Sequence, residues 1–444
     1  MVPGRRPVVI HAWRSKLCRR FSLAVRGSPP YRVLFFGTDD VSLATLESLH
    51  ANRSVSISRP FLHEWLLTKS EQEGGHLIEH IEVVCPSDRP VNGRKKDEPV
   101  PVKRFAQRSG LKIFDTPPHL KSLKTWDFPV TDWFDVGVVV SFGYFLHPNM
   151  LKNLHYGAIN MHPSLLPKYR GPAPIQHALL NGDTTTGVSI IEIDPKAFDV
   201  GRVLLQRPYD IKPGIQCQEL TQELAALGAD SILRSLADLP ACKMEAIVQD
   251  DTCASTAPKL VSKDGHISFD DPATVIFHVR TFDTFMLHCV TFSDRALRYH
   301  TLVYKRWQAL SNSVGITVQF REKVVKLIEV RLPTTDELQV GASCAMCVQC
   351  RLIANGVSLY ALSTLVRADE SCNGQATAGT FFFEKQRQVL WLRCAGDSWL
   401  SISKLQQAGR KVGFALDFCN GYRLKSMQRE RFEEVTAGST IGKL

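Results

Sequence analysis

The feature that most constrains the fold is a series of short apolar runs that do not alternate with polar residues. They fall at 32–36, 81–85, 111–114, 136–141 and 158–161. A strand with one wet face alternates, whereas a strand covered on both faces reads as a continuous Val/Ile/Leu run. The stretches between the runs are long enough for crossovers, and Leu43, Leu46 and Leu49 recur at helical spacing in the first of them. Parallel strands joined this way cross over right-handed. The predicted class is therefore α/β, a doubly wound, mostly parallel sheet. Its first turn, Phe36-Gly37-Thr38, is not a G-x-G-x-x-G loop, so no dinucleotide is indicated. Thr38 or Asp39 is placed to cap the first helix.

Two further strands are expected at 187–193 and 203–211, enclosing 195–201 as a loop. Leu220, Leu224, Leu227 and Leu236 mark an amphipathic helix over 218–239, with Pro240 as its stop. Residues 50–78 read as an insertion containing Gly74-Gly75, and 241–258 as a linker. Beyond Lys259 the character changes. Short strand-like segments at 302–307, 325–331, 357–362, 380–383, 389–392 and 399–402 follow one another with little room for helices. A helix over 275–279 feeds into them. That spacing favours a small barrel or sandwich. The implied plan is a leader (1–30), a catalytic domain (31–240), a linker (241–258), a mostly-β, OB-like barrel (259–428) and a tail (429–444) frayed from Met427 onward.

Charge is uneven. The first 32 residues hold eight Lys or Arg and no acid, which accounts for eight of the net +10 and leaves +2 for the rest. With apolar residues interleaved, this reads as a mitochondrial presequence, and the alternative is a basic arm that touches RNA. The body, 44% apolar and 22% charged, has an ordinary globular composition. No run approaches the ~20 apolar residues of a membrane span, so no membrane is expected as a partner. Twelve cysteines are scattered through a chain with no secretory pattern and are expected as thiols. Cys344, Cys347 and Cys350 form C-x2-C-x2-C, but no fourth cysteine followed by proline completes an iron–sulfur run. No metal is expected.

The run at 158–161 leads into Asn160-Met161-His162-Pro163. Side chains two apart on a strand share a face, and proline tends to end a ladder. Asn160 and His162 therefore emerge together at the carboxyl end of a strand, where open α/β sheets bind ligands. Taken singly, each feature has a plain structural explanation. An Asn or His at a strand end is usually a satisfied loop residue. Asp199 could cap a turn beside Gly201, and Ser164 could be a turn hydroxyl.

The ordered set Asn160-x-His162-Pro163-Ser164-Leu165-Leu166-Pro167, Arg170-Gly171, Asn181-Gly182-Asp183, Thr186-Gly187-Val188 and Asp199-Val200-Gly201 resembles the formyltransferase family that uses 10-formyltetrahydrofolate, in its methionyl-tRNA branch. The resemblance implies catalysis by Asn160, His162 and Asp199, and folate binding by Ser164, Leu165, Leu166 and Pro167. Phe142 and Gly143 are candidate walls for the pterin or ordinary packing. The segments 87–90, 93–96 and 101–103 are similar to the family's basic tRNA-gripping loop, which assigns Arg89, Arg94, Lys95 and Lys96 to tRNA, with Lys103 and Arg104 beside them. Arg170 is expected near the substrate, and Lys305-Arg306-Trp307 combines charge with either a stacking surface or a core tryptophan. The implied activity is formyl transfer to methionyl initiator tRNA in the mitochondrial matrix, by a monomer. Chemistry is consistent with the dyad: nitrogen-to-nitrogen formyl transfer passes through a tetrahedral oxyanion, which an amide NH2 and an imidazole N–H can stabilise. Asp199 can hold the ring and help relay the proton. Three departures stand out. Residues 194–198 are longer than in bacterial relatives, 50–78 have no counterpart, and the middle of the carboxyl domain matches poorly. The rivals are a relative that delivers the formyl group to water or a small amine, and a noncatalytic RNA-binding relative.

Overall fold

The computed structural model describes residues 27–53, 76–90, 97–118, 120, 122–130, 132–267, 303–332, 378–394 and 399–435. The expected leader up to residue 26, most of the 50–78 insertion, Arg94, Lys95 and Lys96, the 275–279 helix, the Cys344/Cys347/Cys350 cluster and the 357–362 strand lie outside the described residues.

The amino-terminal strands are β1 (Tyr31–Gly37), β2 (Ile78–Pro86), β5 (Lys112–Thr116), β6 (Val136–Val140), β7 (Ala158–His162), β8 (Thr185–Glu192) and β9 (Val203–Asp210); the pair β3 (Arg89–Pro90) and β4 (Asp97–Glu98) forms a separate hairpin. The seven strands order as β5-β2-β1-β6-β7-β8-β9. Pairing is parallel from β5 through β7, but β7 and β8 run antiparallel. The Val/Ile run of β8 resembles a buried parallel strand because it too is covered on both faces, and apolar content alone does not report direction. Val33, Leu34, Phe35, Phe36, Val83, Val84, Val138, Val140 and Ile159 are fully buried. Each such side chain contributes roughly 1.5–3 kcal/mol relative to exposure.

Strand β1 lies between β2 and β6, so the chain winds outward from it in both directions, and the carboxyl ends of β1 and β6 mark the switch point where open α/β sheets bind ligands. Helix α1 (Asp40–Ala51) begins there and is capped by Asp39, whose Oδ1 accepts from Ser42 N at 3.2 Å. Ser141 Oγ donates to Asp39 Oδ2 at 2.5 Å, and Thr38 Oγ1 to Phe142 O at 3.1 Å. Helix α2 (Pro101–Arg108) carries a proline in its first turn, where an N–H is dispensable. The short α3 (Pro148–Leu151) and α4 (Pro174–Asn181) start the same way.

The amphipathic helix is α5 (Cys217–Ala237), with Leu220, Leu224 and Leu236 fully buried. Pro240 does not mark its stop. Asp238 ends it and caps a new helix, α6 (Leu239–Met244), in whose first turn Pro240 sits. Residues 245–258 then carry a 3-10 turn at Asp251–Cys253 and backbone bridges at Ile247 and Thr256.

The carboxyl-terminal strands β10 (Ile316–Phe320), β11 (Lys323–Arg331), β12 (Thr380–Glu384), β13 (Val389–Arg393), β14 (Trp399–Gln407) and β16 (Arg429–Arg431) form an antiparallel sheet ordered β10-β11-β14-β13-β12-β16, with β15 (Gly413–Phe414) on β14. Gln319 and Glu433 exchange two backbone hydrogen bonds of 2.7 Å, which brings the chain after β16 back to β10 and closes the barrel. Phe320 and Phe381 meet Phe418 of α7 (Ala415–Tyr422) and Phe432 inside it. Two expectations are corrected. The expected strand at 302–307 is helical over 303–310; four consecutive buried residues there have no period that separates helix from strand. The end expected to fray at Met427 instead supplies β16 and the fully buried Phe432. Among the described residues no helix is long and apolar enough to cross a membrane. The chain divides into two compact units, one of residues 1–162, 188–207 and 225–249, the other of 163–187, 208–224 and 250–444.

Candidate active site

Strand β7 presents Asn160 and His162 from one face, while Ile159 and Met161 turn into the core. Asn160 is half-buried, and its carboxamide makes no hydrogen bond among the described residues. His162 is 5% exposed. Across the β7–β8 ladder it faces Ser189, whose Oγ accepts from Gln206 Nε2 of β9 at 2.9 Å. His162 Nδ1 lies 3.5 Å from Asp199 Oδ1, an ion-pair separation that is long for a hydrogen bond. The structure thus brings Asn160, His162 and Asp199 to one place in the first unit. Ser189 and Gln206 extend that polar layer and were missed in the sequence, where each is a single polar residue in a strand.

The turn bearing Asp199 is tightly built. Asp199 has φ 57°, a left-handed conformation that costs a non-glycine residue about 1–2 kcal/mol. Two residues on, a Cβ on Gly201 would sit 1.8 Å from Glu192 O, so only glycine fits against the end of β8. Gln249 Nε2 donates to both Asp199 O and Gly201 O, each at 2.8 Å. Ile247 exchanges backbone hydrogen bonds of 2.8 and 2.9 Å with Val203. Glu192 accepts from Arg202 Nε at 2.7 Å and from Lys243 Nζ. Burial opposes its ionisation, but those two cations win and hold its carboxyl below the usual range. Before the turn, Asp194 Oδ1 accepts from Lys196 N and Ala197 N at 2.7 and 3.2 Å. Phe198 stands 61% exposed, edge-on to Phe145 at 5.0 Å.

The Ser164–Pro167 loop belongs to the second unit and is held from within it. Ser164 is fully buried and donates to Lys168 O at 2.6 Å, so its hydroxyl shapes the turn. Leu166 is buried, and Leu165 and Pro167 are half-buried. Asp183 Oδ2 accepts from Lys168 Nζ at 2.7 Å and from Tyr169 Oη at 2.8 Å. Ser255 N donates to Pro167 O and Ala257 N to Arg170 O. Arg170 pairs with the exposed Asp251 at 2.8 Å. Phe142 is 3% exposed and packs edge-on against Phe36 at 5.4 Å, which makes its ring core; Gly143 faces open space, with nothing within 4 Å of where a Cβ would stand.

Of the basic residues, Arg89 lies on the β3–β4 hairpin and Arg104 is exposed on α2. Lys103 is withdrawn from the tRNA set: it is buried and donates to Asp88 and Asp115 at 2.6 and 2.8 Å. Trp307 is core, donating to Ile328 O at 3.0 Å rather than offering a stacking face.

Residues 55–236 match the family model described as Formyl transferase. The chain is 30% identical over 405 residues to the mitochondrial methionyl-tRNA formyltransferase of Rattus norvegicus, covering 91% of this chain and 81% of the relative. The chain belongs to the methionyl-tRNA formyltransferase family. The Homo sapiens mitochondrial methionyl-tRNA formyltransferase is 29% identical over 400 residues, covering 90% of this chain and 79% of its own length. A methionyl-tRNA formyltransferase of Synechococcus sp. (strain JA-3-3Ab) is 34% identical over 258 residues, 56% of this chain and 71% of the relative. The long matches to methionyl-tRNA formyltransferases run through the carboxyl barrel as well as the sheet.

Proposed function

We propose that the chain transfers the formyl group of 10-formyltetrahydrofolate to the α-amino group of methionine on initiator tRNA. The observation that carries this reading is one strand face holding Asn160 and His162, with Asp199 3.5 Å from the ring, in a chain of this family. The amine nitrogen attacks the formyl carbon, whose carbonyl π electrons move to oxygen. The Asn160 NH2 and a His162 N–H stabilise the oxyanion. With Nδ1 toward Asp199, Nε2 is the nitrogen assigned to it. The attacking nitrogen sheds one proton, relayed by His162 and Asp199 to N10 of the folate as the bond between N10 and the formyl carbon breaks. No covalent enzyme intermediate is needed, because neither side chain is placed as an activated nucleophile.

In this reading the sheet domain (31–240) performs the chemistry and the barrel (259–428) helps hold RNA. The Ser164–Pro167 loop is the proposed folate-binding segment of its unit, and Phe142 and Gly143 are the proposed pterin-side residues of theirs. Arg89, Arg94, Lys95, Lys96 and Arg170 face tRNA. The protein acts as a monomer in the mitochondrial matrix, reached through the basic arm at 1–30; its mitochondrial relatives support that location. The test is a transfer assay with labelled 10-formyltetrahydrofolate and four acceptors: methionyl initiator tRNA, methionyl elongator tRNA, a free amino sugar nucleotide, and water. Formylation of the initiator species far above the others is expected. Equal transfer to a small amine, or bare deformylation, overturns the assignment.

A further inference from the structure

We infer that Gln249 is a positioning residue for Asp199, acting through the backbone of the turn that carries it. The inference rests on the reading of Asp199 as a catalytic acid. One carboxamide nitrogen donates to the carbonyls of Asp199 and Gly201, each at 2.8 Å. Carbonyls two residues apart point at a single donor only when the chain curls tightly between them. That curl places Asp199 in the left-handed region and presses Gly201 onto Glu192 O. Aspartate tolerates this conformation better than most residues but still at some cost, which the contacts around the turn offset. Gln249 is itself fixed, because Ile247, two residues earlier, is bridged to Val203, two residues past Gly201. The segment 247–249 therefore grips the turn on both sides, and the Gln249 side chain reaches the backbone of the residue facing His162 Nδ1. Without the two hydrogen bonds the turn relaxes and the carboxylate leaves the imidazole, while the binding groups elsewhere stay in place.

The test is a double-mutant cycle in the full-length enzyme, using Gln249→Met, Asp199→Asn and both together, with kcat, both KM values and the melting temperature measured for each. Gln249→Met is expected to lower kcat about 10-fold with both KM values within 2-fold of wild type, and to have no further effect in the Asp199→Asn background, since interacting groups are non-additive. Gln249→Lys, which keeps N–H donors on a flexible side chain one bond longer, is expected to recover part of the loss. Equal losses in the two backgrounds would assign Gln249 to general stability and overturn the inference. A full-rate Gln249→Met beside a slow Asp199→Asn would overturn the role of Gln249 alone. A full-rate Asp199→Asn would overturn the catalytic reading, and the role of Gln249 with it. Should Gln249→Met fail to fold, Gln249→Glu, of the same shape but acceptor-only, takes its place in the cycle.

Discussion

Asn160 and His162 share a strand face but are held differently, and the difference separates their expected mutant behaviour. The imidazole is almost fully buried, pairs with Asp199 and faces Ser189 across the ladder. The carboxamide is half-buried and makes no hydrogen bond among the described residues. Asn160→Ala is therefore expected to melt like wild type and lose ~10²–10³ in kcat, the usual effect of removing one oxyanion donor. His162→Ala should lose at least as much in kcat and also about 1–3 kcal/mol of stability, because it empties a buried ring's place and leaves a half-buried acid without that partner. Steady-state kinetics with charged tRNA and thermal melts check both, and a near-normal kcat in either variant removes that residue from the oxyanion. The dyad was legible because strand side chains alternate with period two and Pro163 marks the end of the ladder. Gln249 was not, because its partners are backbone carbonyls 50 and 48 residues away, which no local pattern encodes. Lys103 was misread for a related reason. Its charge is visible in the sequence, but the Asp88 and Asp115 carboxylates that hold it, and its place on the covered side of α2, are not.

Elements were legible where composition decided them. The continuous runs of β1, β6 and β7 could hardly be anything but covered strands, and the leucines of α5 recur at helical spacing from Leu220. Pairing partners were less visible. Arg429–Arg431 is a charged triplet with no strand signal of its own, and it becomes β16 because β12 offers an edge and Phe432 fills the barrel. Phe432 is fully buried and stacks on Phe381 with ring centroids 4.1 Å apart. The next residue closes the barrel through Gln319. A chain ended at Gln428 is expected to lose the cooperative unfolding of the barrel, since an opened sheet exposes two unpaired edges. Phe432→Ala should cost about 3–5 kcal/mol and Phe432→Leu clearly less. Urea denaturation followed by tryptophan fluorescence reports this, because Trp391 lies on β13 of the same sheet. A Phe432→Ala midpoint equal to wild type would mean that the carboxyl-terminal segment does not hold the barrel shut.

At the scale of the whole molecule, charge decides how RNA can be held. The basic residues of the first 32 positions supply most of the net +10, so the chain beyond them, near +2, projects no strong field of its own. Attraction to a polyanion must then come from a local concentration of cations. The segment between β3 and β4 is the best placed to supply one, since Arg94, Lys95 and Lys96 are consecutive there and the hairpin holds its two ends together. Each phosphate contact releases condensed counterions and adds about 0.7–0.9 to the slope of log affinity against log salt. Arg94→Ala combined with Lys95→Ala is therefore expected to weaken tRNA binding most at low salt and to flatten the slope by roughly 1.4–1.8. Transfer at saturating tRNA should keep its rate, because the dyad and Asp199 are untouched. Filter binding from low to moderate salt measures the slope. If the double variant keeps the wild-type slope, the loop does not touch phosphate, and the RNA must be gripped by other cations.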